Sequence, residues 1–204
     1  IRLVANSPYL AAIATALVIA NFMGVFTYMY MAKLISETFA TPDRQTQVFA
    51  MIDAIINTFA FFGQLLIVRI LVRRIGVGWT LAILPIVSIV GFALLALHPV
   101  FLVLAGVQIV RRSITFGLTK PTTNMLYSVV SPEERYKAKN FIETAVYRGG
   151  DVVATWIVRF IGGIGLNGIA LLCVPLAVVW TLLAFKIGRG YLQRDNATPQ
   201  GETA

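Results

Sequence analysis

Apolar residues in this chain run on for some twenty positions at a time, without the strict alternation of a half-buried strand. About 20 apolar residues in a helix cross the hydrocarbon core of a bilayer. Six stretches qualify, over roughly 8–32, 47–71, 78–97, 100–128, 139–161 and 165–185. The connectors are short and carry chain breakers: Thr41-Pro42-Asp43, Arg73-Arg74-Ile75-Gly76, Leu97-His98-Pro99, Ser131-Pro132-Glu133-Glu134-Arg135, and the glycine-rich Gly162 to Gly168. Continuous apolar runs predict spanning helices rather than a β-barrel. The expected fold is an all-α membrane protein, one six-helix unit over residues 1–190. Residues 191–204 read as a short polar, disordered cytoplasmic tail.

Composition agrees. Of 204 residues, 58% are hydrophobic and 13% charged, against roughly 45–50% and about 25% in a soluble domain. So few charges cannot cover a soluble globule of this size, which excludes an ordinary soluble enzyme. A single cysteine, Cys173, rules out a disulfide within the chain, and a single histidine, His98, leaves no set of metal ligands. The start, Ile1-Arg2-Leu3, has neither an initiator Met nor a signal-peptide pattern, so a piece of a longer protein is expected.

Charge then orients the spans. Lys and Arg number 17 against 9 Asp and Glu, a net charge of +8. With a cytoplasmic N-terminus, that face holds Arg2, Arg73, Arg74, Arg135, Lys137, Lys139, Lys186, Arg189 and Arg194. The other face holds Lys33 and Arg44, with Arg159 near the outer end of the fifth span. The asymmetry puts both termini in the cytoplasm. Asn196-Ala197-Thr198 fits the glycosylation pattern but falls on the wrong face.

The ionisable residues within the spans are a separate set: Asp53 in the second, Arg111, Arg112 and Lys120 in the fourth, Glu143, Arg148 and Asp151 in the fifth. Each central charge costs about 2.5–3.5 kcal/mol on insertion scales, so a group of them needs partners or a purpose. Glu143 lies near the cytoplasmic end; without it, four cations face two anions. At 100° per residue, Asp53, Asn57 and Gln64 form one polar stripe. Arg148 and Asp151 sit one turn apart beside Gly149 and Gly150, close enough to pair locally. Asn21 and Tyr28 share a face of the first span, either for ligand or for interhelical hydrogen bonds. Arg111 and Arg112 point about 100° apart, so one can face a cavity while the other packs. Lys120 lies about 80° from Arg112, just before Pro121, whose missing N–H disturbs the backbone. An excess of fixed positive charge in a low-dielectric cavity attracts anions, phosphates above all.

Other motifs do not carry chemistry. Gly163-Ile164-Gly165-Leu166-Asn167-Gly168 reads G-x-G-x-x-G but joins two membrane helices, without the strand a dinucleotide site needs. No P-loop pattern is present, Asp53 and Asp151 form no convincing catalytic pair, and the aromatics lie in apolar helices rather than among exposed basic residues. Neither an enzyme nor a nucleic-acid partner is expected.

Six spans with both ends cytoplasmic and basic second and fourth connectors resemble one half of a major facilitator transporter, where substrate lies between two halves at mid-membrane. The run Pro132-Glu133-Glu134-Arg135-Tyr136-Lys137-Ala138-Lys139-Asn140-Phe141-Ile142-Glu143-Thr144-Ala145-Val146-Tyr147-Arg148-Gly149-Gly150-Asp151 resembles the ATP/ADP translocase (nucleotide transporter) family of the free-living bacterial type. Ile52-Asp53-Ala54-Ile55-Ile56-Asn57 with Gln64, and Gln108-Ile109-Val110-Arg111-Arg112, extend the resemblance. It implies the C-terminal six-helix half of a carrier in the bacterial inner membrane, partnered by an N-terminal half. It also implies nucleotide exchange through Arg111, Arg112, Lys120, Arg148, Asp53 and Asp151, with Asn57, Gln64, Asn21 and Tyr28 orienting the substrate. Such exchange needs no metal or cofactor. Two alternatives stay open: a proton-coupled carrier titrating Asp53 or Asp151, and a receptor-like or structural module whose cations are all satisfied by protein partners.

Overall fold

The computed structural model describes residues 7–130 and 132–197. Arg2, Ser131 and the tail from Thr198 lie outside the described residues, as do the side chains of Arg135 and Glu143. Helix α1 is Pro8–Thr38. Helix α2, Pro42–Phe62, runs through a π-helical turn, Gly63–Ile67, into α3, Val68–Leu97. Helix α4, Phe101–Ile114, passes through a second π turn, Thr115–Thr119, into α5, Lys120–Leu126. Then come α6, Pro132–Phe141, a third π turn, Ile142–Val146, and α7, Tyr147–Ile161. A 3₁₀ turn, Gly162–Ile164, leads to α8, Gly165–Ala197. There is no strand among the described residues.

Among the described residues, four helical runs are long and apolar enough to cross a membrane: Pro8–Thr38, Pro42–Leu97, Phe101–Leu126 and Gly165–Asn196. The second contains two of the six predicted spans. Its 56 residues would reach about 84 Å if straight, against a hydrocarbon core of ~30 Å. It is not straight, because Gly76 breaks it with φ 81° and ψ 169°, a conformation natural only to glycine. Contacts with α4 show the result. Asp53 meets Arg112 and Gly63 meets Gly117, so α2 and α4 advance in the same direction. Ser88 meets Arg111 and Gly91 meets Val107, so α3 runs opposite to α4. The chain therefore reverses in the segment the sequence marks as Arg73-Arg74-Ile75-Gly76. The stretch expected as a fifth span is helical but is not among the four apolar runs; Arg148, Asp151 and Arg159 fall within about three turns of it.

Interhelical contacts also sort the two ends of the bundle. The Tyr9 ring lies 4.8 Å beneath the Arg194 guanidinium, and its hydroxyl donates to the Leu126 carbonyl at 3.0 Å. Gly78 packs on Gly188. The start of α1, the Gly76 reversal, the end of α5 and the end of α8 thus share one end, where Arg73, Arg74, Lys186 and Arg189 are exposed. At the other end Phe39 meets Phe101. Helix α8 continues to Ala197, seven residues past the limit of 190 expected for the helical unit. The Arg194–Tyr9 contact holds those last turns against α1, so residues 191–197 are helix rather than disordered tail.

Two close backbone approaches set the packing. A Cβ on Gly78 would come within 3.2 Å of the Gly188 Cα, so α3 and α8 touch backbone to backbone. A Cβ on Gly63 would come within 3.1 Å of the Gly117 Cα, where the first two π turns cross. Proline chemistry explains the second turn. The Lys120 N–H bonds the Thr115 carbonyl, five residues back. In that register the Phe116 carbonyl should receive the N–H of residue 121, which is proline and has none. Gln64 Nε2 supplies the missing donor at 2.8 Å.

Candidate functional site

A cavity of about 840 Å³ opens among α1, α3, α4–α5, α7 and α8, within the size range of small-molecule sites. Among the described residues its charged lining is Arg111, Arg112, Lys120 and Asp151, three cations and one carboxylate. Asn21 and Tyr28 also line it. Six of the ten residues proposed from sequence therefore meet in one place. Asp53, Asn57, Gln64 and Arg148 are outside the lining.

The three cations are held in three different ways. Arg111 is 4% exposed. Its Nε donates to Ser88 Oγ at 3.0 Å, and its Nη1 to the Met23 carbonyl at 3.2 Å and to Thr27 Oγ1 at 3.3 Å. The Phe92 ring lies 5.1 Å from its guanidinium. It is thus a cation tying α1 to α3 and α4 through neutral acceptors, with no carboxylate partner among the described residues. Arg112 is half-buried and bonds Asp53 Oδ1 at 2.6 Å, reaching from the cavity wall to α2. Lys120 is exposed to the cavity, and its ammonium sits 4.5 Å from the Phe116 ring centroid. Arg112 lies over the same ring at 5.7 Å, so Phe116 is flanked by both charges.

The expectation that either Arg111 or Arg112 faces the cavity is replaced by a shared arrangement: both line it, and both are already bonded. Arg148 is exposed and forms no ion pair with Asp151 among the described residues. Asp151 instead lies in the cavity wall. Two residues expected to orient a ligand serve the backbone: Gln64 bonds the Phe116 carbonyl, and Asn21 Nδ2 donates to the Tyr147 carbonyl at 2.8 Å. Gly150 makes room for that amide, since a Cβ there would come within 3.2 Å of Asn21 Nδ2. Asn57 is exposed on α2 and the structure shows no partner for it.

Sequence reasoning passed over a row of lining residues on the fourth predicted span: Gln108, Thr115, Phe116, Thr119, Thr123 and Asn124. Their signal was present, because 108, 112, 115, 119 and 123 recur at helical spacing. No group of His, Cys, Asp and Glu that could hold a metal occurs among the described residues. No protein-family model, curated protein or solved structure matches the chain. What the cavity offers by its own chemistry is net positive charge, an aromatic face and a line of hydroxyl and amide groups.

Arg111 yields a prediction that separates structure from ligand binding. The hydroxyls it meets have other acceptors: Thr27 Oγ1 donates to the Met23 carbonyl and Ser88 Oγ to the Leu84 carbonyl. Arg111→Met therefore removes a costly buried charge without orphaning either hydroxyl. Its melting temperature in detergent should equal or exceed that of the wild type. A fall of several degrees would show that the cation holds the helices together.

Proposed function

We propose that this chain is the substrate-binding half of a membrane carrier for organic anions of the nucleotide class, working by alternating access. The observation that carries the reading is the cavity whose charged lining, among the described residues, is Arg111, Arg112 and Lys120 against the carboxylate of Asp151, with Asp53 paired behind Arg112 as the second carboxylate. In a low-dielectric setting that imbalance favours phosphate groups. The sequence resemblance to the ATP/ADP translocase family supports the nucleotide class. On this reading the six helical segments all cross the membrane, the basic end faces the cytoplasm, and a second six-helix half completes the site. The bilayer is that of the bacterial inner membrane.

Binding is the first test. Purified in lipid nanodiscs together with its second half, the chain should bind ADP saturably by calorimetry, with affinity falling as ionic strength rises. Adenosine, which lacks the phosphates, should not bind measurably. Salt-independent binding, or adenosine binding as well as ADP, would refute the anion site.

One observation favours a second reading. Asp151 lines the cavity without an ion-pair partner among the described residues, as a proton-coupling carboxylate would. In proteoliposomes holding the carrier with both halves, nucleotide exchange should survive collapse of the proton gradient. If transport ceases on collapse, the proton-coupled reading replaces exchange.

A further inference from the structure

Gln108 is 3% exposed, lines the cavity, and its Oε1 accepts no hydrogen bond. A buried amide oxygen without a partner costs free energy and persists in a folded protein only with compensation. Here it stands one helical turn before Arg112 on the same wall of the cavity. The Lys120 ammonium lies over Phe116, two turns further along, about 12 Å from the level of Gln108. The wall therefore carries the charges of Arg112 and Lys120 around Phe116 and ends, beyond the internally bonded Arg111, at an amide able to donate and accept.

We infer that Gln108 is a specificity-determining ligand contact, reading the neutral hydrogen-bonding end of an organic phosphate whose anionic end lies by Arg112 and Lys120. The inference rests on the anion-site reading and deepens it. An amide presents one donor and one acceptor side by side, matching the edge of a purine base or a carboxamide. Rotation about its terminal torsion, which is broad for glutamine, turns either atom toward the cavity. A bare inorganic anion fills only the charged segment and leaves the amide unsatisfied. The site should therefore prefer a nucleoside diphosphate to pyrophosphate, although both bring the same phosphate groups.

The experiment compares ADP with pyrophosphate on the carrier purified with both halves in nanodiscs, for the wild type, Gln108→Met and Gln108→Leu. Both replacements remove an unpartnered polar group, so neither should lower the melting temperature. The wild type is expected to bind ADP more tightly than pyrophosphate. In the variants ADP affinity should fall about tenfold while pyrophosphate affinity stays within about twofold. Equal affinity of the wild type for the two ligands would overturn the inference and leave the anion site standing. So would an unchanged ADP affinity in the variants, or a parallel loss of both ligands. If the wild type binds neither ligand, the anion reading falls and this inference falls with it.

Discussion

Replacing Lys120 with Gln should cut ADP affinity by roughly 30-fold or more, about 2 kcal/mol, with little change in stability. The three cavity cations are not equivalent, and that is why this one matters most. Arg111 has its Nε and Nη1 groups engaged by Ser88, Met23 and Thr27. The charge of Arg112 is balanced by Asp53 at 2.6 Å. Lys120 faces the cavity with only the Phe116 ring against its ammonium and no carboxylate partner among the described residues. An incoming phosphate gains most from it, because nothing negative must first be displaced. Calorimetric titration of the variant checks the affinity, and its melting curve checks the fold. Arg112→Gln makes a useful contrast, since it removes a cation and also leaves Asp53 on α2 unneutralised. Undiminished binding by Lys120→Gln would remove that residue from the site.

Alanine at Gly188 should be the most damaging small substitution in the bundle, at about 3 kcal/mol or more. A Cβ there runs into the backbone of Gly78, where α3 and α8 touch, and neither backbone can move without shifting a whole helix. Overpacking of this kind typically costs about 1–3 kcal/mol even where side chains can yield. From the opposite side the clash is milder: a Cβ on Gly78 comes within 3.2 Å of Gly188 Cα, so a few tenths of an ångström suffice. The expected order of melting temperatures is wild type, then Gly78→Ala, then Gly188→Ala. Gly106, with nothing within 4 Å of an added Cβ, is the control. Gly106→Ala should be neutral or slightly stabilising through helix propensity. A Gly188→Ala protein as stable as that control would refute the close approach.

The helical segments were legible in the sequence because length and continuous hydrophobicity are local properties. The reversal at Gly76 was marked by its neighbours Arg73 and Arg74. The cavity was legible only in part, since periodicity gives an angle about one helix axis and no information on which neighbour lies there. Periodicity grouped Asp53, Asn57 and Gln64 as one polar stripe; Asn57 is exposed, while Asp53 on α2 and Gln64 in the π turn after it are both bonded. Their actual partners, Arg112 and the Phe116 carbonyl, come from α4 and the turn beyond it. Arg148 shows the same limit, because one turn from Asp151 it is nonetheless exposed and outside the cavity wall. Gln108 stood in the sequence only as part of the run to Arg112, and it is the structure that buries its Oε1 without a partner beside the cavity.

The π turn at Thr115–Thr119 also sets a phase. A π turn absorbs one residue more than a regular helical turn, so everything after it is rotated back by about 100° relative to an unbroken helix. Counted along a regular helix, Lys120 stands about 80° from Arg112; with one residue absorbed, the angle shrinks to about 20°. That rephasing lets both cations flank the Phe116 ring. Passing the extra residue along the helix would swing Lys120 by about a quarter turn off the cavity wall and dissolve the anion site, with no rigid-body movement of the bundle.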